Sequence, residues 1–417
     1  LTSLVGSEMC IRDSYNFGLN TMFERLKPVP IDPILGLMNA FKADPRETKI
    51  DLGVGVYQND SGKTPIMTAV KKAEFALHQN ENTKTYQGMT GDIDYNTHIS
   101  ELIFGSENSI SNSDKFCTLQ APGGSGALRV GAEVIARTKE NATIWIGDPT
   151  WANHIPIMTK TGLKIKTYPY YDFKTHSIDF DAMIAQLKKI PAGDFVLLHG
   201  CCHNPTGADL TLNQWSEVCS VASQTGFIPF IDIAYQGLGN GLDEDVQGLR
   251  ILANNLPELM VASSCSKNFG LYRERTGAIS FLCSSDVQSK IVLSHAMSAA
   301  RSLYSMPPAH GALLVASVLG DHALRQEWEK ELEQVRRRIE SMRNMLCQKL
   351  ETNNHGQDFS HIKIQKGMFS FLGITPDQVT KLRDMHGIYM VSSTRINIAG
   401  ININNICLLY TSPSPRD

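Results

Sequence analysis

Between residues 116 and 282 the chain alternates two kinds of pattern. Short apolar or β-branched runs lie at 116–119, 142–147, 163–168, 195–198, 227–233, 259–262 and 278–282. Most of them end in glycine, proline, aspartate or small hydroxyl residues, the punctuation of strands. Stretches with helical spacing separate them at 127–137, 180–188 and 212–225. Strands that alternate with helices imply right-handed crossovers and a mostly parallel sheet, so the fold class is α/β. Ligands of such sheets sit at the carboxyl ends of the strands.

Outside this region the pattern changes. Pro28, Pro30 and Pro33 follow Met22 closely, which predicts an extended arm before a short helix at 34–41. In the run 50–57, Gly53 and Gly55 alternate with β-branched residues. Either backbone is brought close to a ligand or another chain there, or an edge strand bulges. A helix is predicted at 67–77. A long amphipathic helix is predicted at 324–350, with Trp328, Leu332, Val335, Ile339, Met342 and Leu346 on one face and Arg336, Arg337 and Arg338 solvated. The stretches 362–364, 368–372, 376–385 and 388–391 read as a small α/β unit. Residues 1–14 and 407–417 show no periodicity and resemble translated adapter sequence, and Met22 reads as the natural start.

Composition narrows the class. The 417 residues are 42% apolar and 19% charged, as in a globular enzyme with one large domain and a satellite, or two domains. A net charge of −3 gives no reason to expect nucleic acid or an acidic membrane surface. No apolar run approaches the roughly 18 residues of a membrane helix. Nine cysteines lack CxxC pairs and Cys/His spacings of a metal site, with Cys201 and Cys202 adjacent. That usage fits reduced thiols in a cytoplasmic protein and predicts no metal.

The chemistry concentrates at the strand ends. Lys267 sits among Ser263, Ser264 and Ser266 after an apolar run, with Arg275 eight positions on. A lysine shielded from solvent there loses its proton more easily and can form a Schiff base with an aldehyde. Gly123, Gly124, Ser125 and Gly126 form a loop between a strand and a helix and free backbone N–H groups for a phosphate, unless they are only a flexible turn. Trp151, Asn204, Asp232 and Tyr235 also follow strands. Together these residues suit an aldehyde cofactor bearing a phosphate and a pyridine ring. Lys267 supplies the amine, and the glycine stretch with Ser264 and Arg275 the phosphate cradle. Trp151 offers a flat face, Asp232 a carboxylate for the ring nitrogen, and Asn204 with Tyr235 donors for the phenolate.

The segments GCCHNPTG (200–207), DIAYQG (232–237), SSCSKNFGLY (263–272), YSMPPAHG (304–311) and RINIAG (395–400) resemble class I aminotransferases of the aspartate and aromatic amino acid group. The resemblance runs from about Met22 to Asn405. It implies fold type I with pyridoxal 5'-phosphate as cofactor, Lys267 as Schiff-base residue and acid/base, and Asp232 and Tyr235 as its catalytic companions. It also implies that His154 supports Asp232, that Gly55, Trp151 and Asn204 line the substrate pocket, and that Arg395 clasps the α-carboxylate. The substrates implied are amino acids and 2-oxo acids, and the assembly a homodimer in which Tyr86 and Arg301 reach the partner's site. The implied organisation is an extension (1–21), an arm with part of a small domain (22–63), a large cofactor domain (64–334), the rest of the small domain (335–405) and a tail (406–417). Cys265 departs from the aromatic residue that relatives often carry, which would alter packing beside the cofactor. Aspartate with 2-oxoglutarate is the substrate pair expected, with PPAHG leaning that way, and an aromatic amino acid enzyme is the alternative. Complete catalytic residues argue against a non-catalytic regulatory module, and the Arg395 and Arg301 pair against a lyase.

Overall fold

The computed structural model describes residues 22–29, 32–106, 113–353 and 358–411. Both the N-terminal stretch 1–14 and most of the final tail lie outside the described residues, as does Pro30. Strands in chain order are β1 (Ile50–Asp51), β2 (Phe116–Pro122), β3 (Thr143–Asp148), β4 (Lys164–Pro169), β5 (Tyr171–Asp172), β6 (Ser177–Ile178) and β7 (Phe195–His199). Then come β8 (Ile228–Ile233), β9 (Leu259–Ser264), β10 (Thr276–Leu282), β11 (Phe369–Phe371), β12 (Ile388–Tyr389) and β13 (Arg395–Asn397). Seven of them make one sheet in the order β2-β10-β9-β8-β7-β3-β4. Its strands are parallel except β10, which pairs antiparallel with both β9 and β2.

Both faces of the sheet's central strands β7 to β10 are covered, which is why they read as nearly continuous apolar runs, whereas the edge strand β4 is largely exposed. Successive residues serve opposite cores. Val196, Leu198, Ile231, Ile233 and Val261 join one cluster, while Phe195, Leu197, Phe230, Met260 and Ala262 join the other. Helix Leu212–Thr225 starts on a Thr211–Gln214 capping box and stops at Gly226 in the left-handed conformation, as its residue types dictate. The glycine stretch differs from expectation. It is no loop, because helix Gly123–Ala136 starts directly after β2 and takes the glycines into its first turn.

Four further helices carry weak patterns. Ile93–Phe104, Gln247–Asn255, Asp286–Leu303 and Ala309–Gly320 were not predicted. The buried face of Asp286–Leu303 is built from Ser289, Ala296, Ala299 and Ala300, so it offers little hydrophobic contrast. The predicted long helix spans His322–Asn353, and Trp328, Leu332, Ile339, Met342 and Leu346 are buried. Arg338 is not a solvated residue of that helix. It donates to Asp60 Oδ1 at 2.9 Å and to the Ile401 carbonyl at 3.0 Å.

Distant parts of the chain meet beside the large sheet. β1 pairs in parallel with β12, and β11 pairs antiparallel with β13, with Phe371 opposite Arg395. Residues 22–29 are exposed throughout, beginning with a 3-10 turn at Met22–Arg25 rather than a fully extended arm. In the tail, helix Ile406–Thr411 forms despite the lack of periodicity, and Ile406 is buried.

Candidate active site

A cavity of about 350 Å³ opens at the carboxyl edge of the sheet. Each strand there delivers a piece of its wall. Trp151 follows β3, His199 ends β7 and Asn204 follows it, Asp232 lies at the end of β8 with Ala234 and Tyr235 beyond, and Ser264 ends β9. Ser266, Lys267 and Tyr272 come from the connection between β9 and β10, and Arg275 stands just before β10. Val54, Gly55, Phe369 and Arg395 close the other side.

Lys267 is fixed by its sequence neighbours. The Asn268 carbonyl accepts from Trp328 Nε1 at 2.9 Å, and Phe269 stacks on the Trp328 ring at 4.3 Å. Its ammonium nitrogen stands 5.0 Å from the Tyr272 ring centre and 5.9 Å from that of Tyr235. Burial, and then the positive charges of Arg275 and Arg395, pull its pKa down to about 8 against the opposing pull of Asp232. A fraction of the amine is therefore unprotonated at neutral pH, the form that attacks carbonyls and accepts protons.

Asp232 is held from behind. His154, fully buried, is hydrogen-bonded through Nε2 to Asp232 Oδ2 at 2.9 Å. Thr150 Oγ1 lies 2.7 Å from His154 Nδ1 and 3.2 Å from His199 Nε2. Burial, helped by His154, lowers the His199 pKa to about 3, so this ring stays neutral beside the carboxylate. Opposite, Arg395 donates to Asn204 Oδ1 at 3.2 Å and to the Gly53 carbonyl at 2.5 Å, with its guanidinium 4.4 Å from the Phe369 ring centre. Asn204 Nδ2 donates to the Tyr235 hydroxyl at 3.4 Å, and burial pushes the Tyr235 pKa up.

At the third corner, helix Gly123–Ala136 presents its amino end, where no side chain caps the free N–H groups. Gly124, Ser125, Ser264, Ser266 and Arg275 line this corner. Room is tight. A Cβ on Gly123, whose φ is +73°, would fall 2.5 Å from Arg275 Nη2, and one on Gly277 would fall 2.6 Å from the Gly123 carbonyl carbon. Only glycine at both places lets the helix end, β9, β10 and the guanidinium meet.

Of the residues singled out from sequence, the cavity gathers Gly55, Gly124, Ser125, Trp151, Asn204, Asp232, Tyr235, Ser264, Lys267, Arg275 and Arg395. Gly123 and Gly126 do not line it, since Gly123 backs onto Arg275 and Gly126 packs against the Pro122 ring. Tyr86 is 91% exposed and outside the cavity. Arg301 is exposed too, its guanidinium bonded to Ser305 in its own helix end. Cys265 turns into the core, its sulfur 3.6 Å from the Tyr95 hydroxyl, and so does not pack beside the cavity. Sequence reasoning missed His199, Ser266, Tyr272 and Phe369 as lining residues. Ser266 and Tyr272 stand inside the flagged segment 263–272 and His199 directly before 200–207, whereas Phe369 arrives from a distant strand with no local signal.

The charge of the lining decides what fits. Lys267, Arg275 and Arg395 face one carboxylate, Asp232, and among the described residues none of the three cations forms a salt bridge. Arg395 Nε, buried, also lacks a hydrogen-bond partner among them. A dianionic phosphate at the helix end and a substrate carboxylate at Arg395 would balance this excess. The residues thus fit pyridoxal phosphate: Gly124, Ser125, Ser264, Ser266 and Arg275 would hold its phosphate, and Lys267 would meet its aldehyde.

An α/β sheet that gathers a buried lysine, a histidine-backed aspartate and an uncapped helix end defines an enzyme of phosphorylated aldehyde chemistry. Residues 47–409 match the family model for aminotransferase class I and II, and the chain belongs to that family. It is a pyridoxal-phosphate-dependent aminotransferase. The chain is 48% identical over 391 residues to an aspartate aminotransferase of Haemophilus influenzae, covering 94% of this chain and 99% of that one. It is 46% identical over 388 residues to an aromatic-amino-acid aminotransferase of Paracoccus denitrificans, covering 93% and 98%. The solved aromatic-amino-acid aminotransferase of Burkholderia pseudomallei, covalently bound to pyridoxal phosphate, superposes with a TM-score of 0.91 at 41% identity, covering 94% and 98%.

Proposed function

We propose that this enzyme exchanges the amino group between L-aspartate and 2-oxoglutarate, giving oxaloacetate and L-glutamate in a ping-pong cycle. One observation carries the aminotransferase chemistry: three cations that form no salt bridge among the described residues surround a single carboxylate, which suits the cofactor phosphate and the α-carboxylate that every amino acid brings. The aspartate aminotransferase relatives support aspartate as the amino donor. When bound, pyridoxal phosphate supplies a protonated pyridine ring that draws the electron pair from the substrate Cα.

The chain's residues do the rest. Asp232, kept in place by His154, holds the proton on the ring nitrogen. Lys267 carries the cofactor and moves the proton at the substrate Cα. Arg395 grips the α-carboxylate with parallel N–H donors, and Asn204 and Tyr235 donate to the phenolate oxygen. Gly55 belongs to the substrate pocket because a Cβ there would fall 2.7 Å from the Phe369 ring that supports Arg395. A cytoplasmic location is supported by cysteine usage, with seven of the described thiols buried and free of disulfides.

The distal carboxylate needs a partner that one protomer does not bring to the cavity. We assign that role to Arg301 of a second copy in a homodimer, with Tyr86 reaching across to the phosphate. Both are exposed here, and Phe23, Ile66, Phe75 and Ile93 add exposed apolar area for a second copy to cover.

Initial rates with aspartate, tyrosine and phenylalanine test the assignment in wild type and Arg301→Leu. Loss of two charge-assisted bonds, at roughly 1.5–3 kcal/mol each, lowers kcat/KM for aspartate by about 10²–10⁴. Activity with phenylalanine falls far less or rises. Equal losses on both substrates would show that Arg301 supports the site generally and would remove the physical support for the dicarboxylate reading. A dimer mixed from Lys267→Ala and Arg301→Leu chains recovers one intact site if Arg301 acts across the interface, and none if it acts within its own chain.

A further inference from the structure

A second buried guanidinium stands behind the first. Arg343, on the long helix His322–Asn353, is only 3% exposed and has no carboxylate within salt-bridge distance among the described residues. Backbone carbonyls surround it instead. Its Nη2 donates to Phe369 at 2.6 Å, Gly367 at 2.7 Å and Lys366 at 3.0 Å, and its Nη1 to Ile362 at 2.9 Å. Nη1 also donates to Ser370 Oγ at 2.6 Å, and Nε to the Gly367 carbonyl at 3.2 Å. All five N–H donors are thereby spent on one short segment.

That segment ends on the ring beneath Arg395. Phe369 is buried, lies 4.4 Å from the Arg395 guanidinium, meets the Tyr235 ring edge-on at 6.1 Å, and leaves no room for a side chain at Gly55. The carbonyls converge on one point because Gly367 turns the chain at φ +72°. A lysine has three donors on a point charge and cannot satisfy such a ring. Burial without a counter-ion is costly, and it lowers the Arg343 pKa to about 10.

We propose that Arg343 is a positioning residue for substrate binding: it fixes the Ile362–Ser370 backbone, and through it the Phe369 ring on which Arg395 lies. The inference rests on the reading that Arg395 binds the α-carboxylate.

The test is steady-state kinetics of the holoenzyme with aspartate and 2-oxoglutarate. Arg343→Lys should raise KM for both substrates about tenfold while kcat changes by less than about threefold and pyridoxal phosphate is retained. A purely structural role would lower the melting temperature without that KM-against-kcat split, and this result would overturn the proposal. Phe369→Leu should raise KM similarly, and the double variant should lose no more than the worse single one; additive losses would show that Arg343 does not act through Phe369. If Arg343→Lys does not fold, Ser370→Ala removes one acceptor and leaves the guanidinium. It should raise KM by a smaller factor, and an unchanged KM would count against the proposal. Arg395→Lys separates the two readings. If its KM is normal, the role of Arg395 fails; if its KM rises while that of Arg343→Lys does not, only the present inference fails.

Discussion

The same strands end in two cavities of nearly equal size. At their carboxyl edge lies the site of about 350 Å³, and at the opposite edge a cavity of about 340 Å³. Phe195, Ile228 and Leu259, which begin β7, β8 and β9, line the second with Val134, Met260 and Phe281. Its only ionisable side chains of strong charge are Lys139 and Glu258, and Lys139 is already paired with Asp194 at 3.0 Å. Volume therefore does not mark a site. What differs is chemistry: one cavity holds three cations that lack ion pairs among the described residues, a supported carboxylate and a free helix end, whereas the other is lined mostly by apolar side chains.

Changes at the two edges should accordingly separate turnover from stability. The largest effect is expected for Lys267→Ala, where loss of the acid/base alone costs roughly 10²–10⁴ in kcat. Borohydride reduction and peptide mapping of the native enzyme should mark Lys267, and a mark on another lysine would sink its role. Next, Asp232→Ala should lower kcat by roughly 10²–10³, or about 3–4 kcal/mol, as for other single electrostatic groups in a dry site. Near-normal turnover there would contradict the assignment.

In the other cavity, Met260→Ala should cost about 2–4 kcal/mol of stability, seen as a lower urea midpoint, with kcat/KM kept within about twofold. A large loss of activity from Met260→Ala would break the contrast. The smallest effect concerns His199. Its folded pKa, about 3, lies below the ordinary value, so as pH falls below roughly 6.5 the unfolded chain takes up a proton that the folded one refuses. Stability tied to His199 is therefore present above that pH and lost as pH falls. Asp209, raised to about 6 by burial, works the opposite way, so the check compares chains. Between about pH 6.5 and 5, His199→Asn should lose less stability than wild type, by up to ~1.4 kcal/mol per pH unit.

Much of this site was legible because strand ends are legible. Once apolar runs and helical spacings alternate, Asn204, Asp232, Tyr235 and Lys267 must share one rim. The glycine stretch was placed one turn off, since glycine is a poor helix former and Ala127 looked like the true start. Helix Ala309–Gly320 was hidden for a different reason: nearly all its positions are apolar, so no face stands out. Phe369 and Arg343 carry no local pattern at all. Their meaning comes from where a remote segment lands, which periodicity does not encode.

The place of β10 has a consequence for synthesis on the ribosome. β2 lies at the sheet's edge, and among the described residues it pairs with β10 alone, with Phe116 opposite Leu282 and Pro122 opposite Thr276. The helix end assigned to the phosphate follows β2 directly, so it has no docked strand behind it until the chain has been made past Leu282. Arg275 and Lys267 emerge just before that moment. Such a long-range closure comes late, because its loop entropy must be overcome before the pairing repays it. Cofactor capture should therefore follow closure of this edge: a nascent chain truncated before Leu282 holds every strand of the parallel part, yet lacks the docked edge assigned to the phosphate.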